Sequence, residues 1–169
     1  LLPLLGTEAG AVQRLRDPRL FFAELDRAGI AHPEVRFDTP PTLAGWLLKD
    51  PHACGGWHIR RATARRAAAQ GQRYFQRQVA GTPMSATFIA NGRDARVLGF
   101  NRLIVFRRGI RPFGFCGAIG PVPLPAALTG TIAGIVRQLS ATFTLKGLCS
   151  LDFIDDGNHA SVLEVNPRP

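Results

Sequence analysis

The chain has 169 residues, of which 46% are hydrophobic and 20% charged, a globular balance that excludes intrinsic disorder and allows one compact domain or two small lobes. Its net charge of +9 makes a polyanion a reasonable partner. The three cysteines, Cys54, Cys116 and Cys149, lie far apart without a CxxC pair, which argues against a disulfide framework and fits a reducing cytoplasm.

The chain starts on Leu1 rather than Met, and no basic-then-apolar leader opens it, so a piece of a longer protein is expected. Arg14–Gly29 predicts a helix: Leu15, Phe21, Phe22 and Leu25 recur at near-helical spacing, and Gly29 stops it. Pro18 suits the first turn, with Asp17 before it as cap. Ile30–Phe37 is extended, Thr39-Pro40-Pro41 turns, and Gly45–Lys49 is a short apolar strand ending on a lysine. A glycine-containing loop, DPHACGGW, leads into a strand at Trp57–Arg60 and a basic helix at Ala62–Gln70.

Tyr74–Val79 and Ser85–Ala90 read as strands around the turn Gly81-Thr82-Pro83. Asn91-Gly92 is a hairpin signal, after which Arg96–Phe100 pairs back. Pro112–Val136 has no charged side chain and is long enough to cross a bilayer. Its four prolines (112, 121, 123 and 125) and five glycines rule out a continuous spanning helix, so it reads as a buried loop and strand leading into a helix near Ala126–Phe143. The last hairpin is Gly147–Ile154, a turn at Asp155–Asn158, and Ala160–Asn166. This order predicts an α+β protein of two small lobes linked near Gln76–Gly81.

That last hairpin carries the most chemistry. Side chains alternate along a strand, so Glu164, Asn166 and Arg168 share one face if the chain stays extended through Pro167. Asp152 on the partner strand is a second acid between apolar neighbours, and unpaired buried carboxylates call for a cation. Two carboxylates and an amide suit Mg2+, or Mn2+, with phosphate oxygens completing the shell. A two-residue turn at Asp156-Gly157 would pair Asp152 with Ser161 and send Glu164 to the opposite face. A three- or five-residue loop pairs Asp152 with Val162 and brings the acids together, and this longer turn is the expectation. The bland alternative is a solvated hairpin with scattered charges.

Two further features are weaker. Lys49 closes a strand just before Gly55-Gly56, where backbone amides and an ammonium could approach phosphate together, although the Walker A order is absent. The run Arg60, Arg61, Arg65, Arg66, Arg73 and Arg77 could follow a nucleic-acid backbone, but a solvated basic face is the better account. His32, His52, His58 and His159 are scattered, no GxSxG is present, and the cysteines read as small packing residues rather than nucleophiles.

In order, RDPRLFFAELDRAGIAHPEVRF, GWLLKDPHACGGWHIRRA, YFQRQVAGTPMSATFIANG, KGLCSLDF and VLEVNPRP resemble the ATP-grasp superfamily over nearly the whole chain. An acid on one strand and E-x-N-x-R on the next is the strongest part of that likeness. Within it the sequence resembles ATP-grasp enzymes of methylotrophic bacteria, which are themselves similar to carboxylate–amine ligases such as those making one-carbon-carrier coenzymes. The resemblance implies an ATP-grasp fold with ATP between antiparallel sheets: 1–18 as the tail of a substrate-side domain, 19–79 as the small lobe with its glycine flap, and 80–169 as the large lobe with the metal site.

By the same resemblance Lys49 contacts the phosphates, and the loop Ala53–Trp57, with Cys54, Gly55 and Gly56, closes over them. Gln76, Arg77, Gln78 and Val79 form the hinge that reads adenine mainly through its backbone. Asp152, Glu164 and Asn166 hold Mg2+, and Arg168 steadies the transferring phosphoryl group. The implied reaction turns a small-molecule carboxylate into an acyl phosphate for attack by an amine, in the cytoplasm, with homo-oligomerisation open and no membrane partner. Two departures stand out: Gly81-Thr82-Pro83-Met84 lies where an acid often binds ribose, and Ser150 where many ligases carry arginine or asparagine. The basic residue expected near the first helix is Arg16 or Arg19. A non-catalytic ATP-binding module is the alternative, and a basic nucleic-acid-binding domain a more distant one.

Overall fold

A computed structural model describes residues 6–52, 55–67, 73–109 and 111–168. The expected first helix is two. α1 (Ala9–Arg16) and α2 (Pro18–Arg27) meet at Asp17, whose carboxylate accepts from the amides of Arg19 (2.8 Å) and Leu20 (3.4 Å). Asp17 is extended and the next residue is a proline, which ends one helix and opens the other.

Two antiparallel sheets follow. The smaller has the order β1-β4-β2-β3, from β1 (Val35–Arg36), β2 (Trp46–Lys49), β3 (Arg60–Arg61) and β4 (Tyr74–Arg77). The strand expected at Trp57–Arg60 begins later, because Gly55 and Gly56, at φ +68° and +69°, keep the chain turning. Of the basic helix, α3 spans Ala64–Ala67; the rest of its expected range, 68–70, lies outside the described residues.

The larger sheet has the order β7-β6-β5-β8-β9, from β5 (Thr82–Asn91), β6 (Ala95–Arg108), β7 (Arg111–Ile119), β8 (Lys146–Asp155) and β9 (Ala160–Asn166). α4 (Ala126–Phe143) matches its expected range and ends on Thr144 in the left-handed region, φ 55°. It buries Ile132, Val136, Leu139 and Phe143 against Ala86, Phe88, Leu151 and Phe153 of the sheet. Leu15, Phe21, Phe22 and Leu25 of the first two helices join this same core. A separate small core, Trp46, Leu48 and Phe75, lies on one face of the smaller sheet.

The buried strand expected within Pro112–Val136 is in fact largely exposed: Phe115 is 46% and Ile119 59% accessible. The reason is topological. β7 is an edge strand, and β6 runs past the end of its pairing with β5 at Arg102, so from Leu103 onward β6 and β7 form a two-stranded ribbon. Cys116, on this ribbon, is exposed rather than packed, whereas Cys149 is buried as expected; Cys54 lies outside the described residues. Among the described residues no helix is long and apolar enough to cross a membrane.

Candidate functional site

Asp152 and Glu164 face each other directly across β8 and β9. The route to that pairing differs from the expectation. Ile154 pairs with Ser161 and Asp155 with Ala160, so the loop is the four residues 156–159. In a regular ladder that register puts Asp152 opposite Leu163 and Glu164 out of step. A β-bulge between Asp152 and Phe153 absorbs one residue and restores the match. Val162 and Val165 both stay buried, while Leu163 and Glu164 between them are only partly so, which is how a bulged strand keeps its apolar side chains inward.

Asn166 lies opposite Ser150, and its amide donates to Asp152 Oδ2 at 3.3 Å and to Glu164 Oε1 at 3.4 Å. Ser85 of β5 lies opposite Asp152 on the other side, and its hydroxyl hydrogen bond favours the charged carboxylate. Burial and the Glu164 charge outweigh that bond and push Asp152 up to about 7. Two crowded carboxylates, one of them held partly protonated, are a pair short of positive charge.

Part of that charge comes from the other sheet. Alternation on β2 and β4 puts Trp46, Leu48, Phe75 and Arg77 on one face and Leu47, Lys49, Tyr74 and Gln76 on the other. The second face looks toward the large sheet. Lys49, only 3% accessible, is pushed down by burial and held up by the charges of Glu164 and Asp152. Tyr74 is likewise pushed up by burial and by Glu164. Lysine and acids thus meet across the space between the sheets, from segments about 100 residues apart in sequence.

Not all of the other expected residues turn toward this centre. Gly55 and Gly56 lie in the turn before β3, with Cys54 and Ala53 outside the described residues. Gln76 is buried, and its Nε2 has no hydrogen-bond partner among the described residues. The Arg77 amide donates to Glu34 O (2.8 Å) and the Gln78 amide to Gly45 O (2.9 Å). Arg77 turns away and lies over the Trp46 ring at 5.5 Å, Gln78 is exposed and accepts from Arg61 at 3.1 Å, and Val79 is half-buried. Arg168, two residues beyond β9, is exposed.

A cavity of ≈ 70 Å³ opens beside the acids, lined by Arg16, Asp50, His58, Tyr74, Glu164 and Asn166 among others. It separates the two candidate arginines of the first helices. Arg16 lines this cavity, whereas Arg19 is stacked over the Phe37 ring, 4.2 Å from its centroid. Tyr74 and Ser85 were not singled out from the sequence. Only the cross-strand register, which brings Ser85 to Asp152 and Tyr74 to Lys49, marks them.

Two antiparallel sheets with acids on one and a buried lysine on the other define an α+β protein with its polar centre between the sheets. Residues 16–169 match the ATP-grasp domain, and the chain belongs to that family. The carbamoyl phosphate synthase large chain of Thermus thermophilus is 24% identical over 98% of this chain, which spans 18% of that protein. An ATP-grasp superfamily protein of Archaeoglobus fulgidus aligns with a TM-score of 0.75 and 20% identity, covering 98% of this chain and 49% of its own. The D-alanine–D-alanine ligase of Bacillus anthracis, solved with ATP, aligns at 0.74 and 12%, covering 99% and 61%. At these identities the structural likenesses establish the fold.

Proposed function

We propose that this chain is the Mg-ATP-binding core of a ligase that activates a carboxylate as an acyl phosphate for attack by an amine. The observation that carries this reading is the facing pair Asp152–Glu164, bridged by Asn166 and approached by buried Lys49 from the opposite sheet. Among the described residues no three His, Cys, Asp or Glu side chains cluster, and Asn166, whose NH2 bridges the two acids here, would serve as third donor by turning its amide oxygen to the ion. An all-oxygen set of two carboxylates and an amide fits Mg2+ or Mn2+. When bound, such an ion draws charge from the phosphate oxygens.

Lys49 neutralises phosphate without admitting water, since its ammonium is already buried. Arg16, on the cavity beside Glu164, takes the role left open between it and Arg19. Gly55, Gly56 and, in the same loop, Cys54 cover the phosphates. The amides of Arg77 and Gln78 are engaged by Glu34 and Gly45. Recognition of the base therefore falls to the hinge carbonyls, the Val79 amide and the unsatisfied Gln76 side chain. Arg168 lies at the end of the metal strand, where it would meet the transferring phosphoryl group. The substrate carboxylate attacks the γ-phosphorus and ADP leaves; the amine then attacks the acyl carbon and phosphate leaves. Such chemistry needs positioning and charge neutralisation rather than an activated serine or cysteine. The lobes are residues 19–79 and 80–169, after a substrate-side tail at 1–18, and a one-carbon-carrier coenzyme precursor is the substrate class to try first.

Calorimetry of ATP with and without Mg2+ tests the reading. Tight binding should require the ion, and Glu164→Ala should abolish that requirement together with most of the affinity; ion-independent binding unchanged by the substitution would sink it. A second reading, an ATP-binding module without turnover, is favoured by Thr82 and Pro83 opening β5 where a ribose-binding acid is expected. ADP release screened over carboxylates and amines separates the two.

A further inference from the structure

From Leu103 onward β6 and β7 pair only with each other, and the ribbon they form carries exposed Ile104, Phe106 and Phe115. What it reaches is the glycine turn between β2 and β3. The Phe115 amide donates to Gly55 O at 3.1 Å. Gly56 lies so close to the Phe113 carbonyl that a Cβ there would run into it, and its φ of +69° independently disfavours any side chain. The Arg111 guanidinium stacks over the Trp57 ring, 4.8 Å from its centroid. Arg60, at the start of β3, donates to the Trp57 carbonyl, so the backbone of this residue is also tied to the small sheet.

We propose that the β6–β7 ribbon is a latch for the glycine loop, with Trp57 and Arg111 as positioning residues that set how fast a bound nucleotide leaves. Three contacts of different kinds converge on three consecutive loop residues: a hydrogen bond, a close backbone approach and a cation–π stack. The loop follows Lys49 directly and the ribbon belongs to the sheet that carries Asp152, so the latch ties the two sheets together. The indole stack is the contact that a side-chain substitution removes without disturbing either backbone, and neither Trp57 nor Arg111 touches the acids. The part of the inference that concerns nucleotide release rests on the proposed function; the latch itself does not.

Two measurements on the full chain keep these apart. In a Trp46→Phe background Trp57 is the sole tryptophan, and acrylamide quenching reads its exposure with no nucleotide present. Arg111→Ala should raise the quenching constant, with Arg111→Lys restoring much of it; an unchanged constant overturns the latch, whether or not ATP binds. Stopped-flow release of a fluorescent ATP analogue with Mg2+ is the second. Arg111→Ala and Trp57→Leu should each speed release about three- to tenfold, and the double substitution no more than the stronger single. Additive effects, or release as slow as in the parent, overturn the positioning role. A parent chain that binds no analogue overturns the proposed function, and quenching then decides the latch alone.

Discussion

Asp152 shows how a single carboxylate can couple folding to pH. Its ordinary value is 3.8, and burial beside Glu164 raises it to about 7 in the folded chain. Between those values the folded chain keeps a proton that the unfolded chain has released. The metal-free protein should therefore lose stability as pH rises from about 4 to 7, the opposite of a salt-bridged acid. Urea midpoints in EDTA across that range check the sign, and Asp152→Asn should flatten the slope. A parent midpoint that rises over the interval contradicts the burial argument. The same residue shows a limit of linear reading: that Asp152 is an acid among apolar neighbours is visible in the sequence, but that Ser85 sits opposite it is not.

At the scale of elements, ends and bulges decide more than interiors. The Asp17 cap was legible because a capping residue followed by proline acts locally, yet the helix expected as one piece is two. Asp17→Ala removes two hydrogen bonds to backbone amides and should cost about 1 kcal/mol in chemical denaturation. Thr144 is the reverse case, a β-branched residue at φ 55° where α4 ends. Thr144→Gly should stabilise by about 1 kcal/mol, read by the same method, because glycine adopts that conformation without strain. The closing hairpin makes the point most sharply. Its two strands and the shared face of its acids follow from residue pattern, but that sharing depends on a bulge at Leu163–Glu164 rather than on turn length. Alternation rules assume one residue per step, and nothing in VLEVN says where the step is broken.

Over the whole molecule, one large core and a small satellite carry unequal loads. Phe153 is fully buried in the large core, whereas Phe115 on the ribbon is 46% accessible. Phe153→Ala should cost about 3–5 kcal/mol, and Phe115→Ala about 0.5 kcal/mol or less of global stability; thermal and urea unfolding distinguish them. Equal losses would mean that the ribbon is packed in solution. The ribbon escaped the sequence reading because an uncharged, glycine- and proline-rich stretch suggests burial by composition, while its exposure comes from edge position in a sheet whose order is not local information.

By itself, the amino-acid order determined the family, most element positions, the closing hairpin with its two acids and the strand that ends on the lysine before the glycine loop, because short-range periodicity and motif spacing are properties of the linear chain. Tertiary structure alone decided that α1 and α2 share the large sheet's core, that Arg16 rather than Arg19 reaches the cavity beside Glu164, and that the ribbon meets Gly55–Trp57. Each of these depends on contacts between segments far apart in sequence, where the partner is fixed by packing and strand register rather than by the residue's own neighbours.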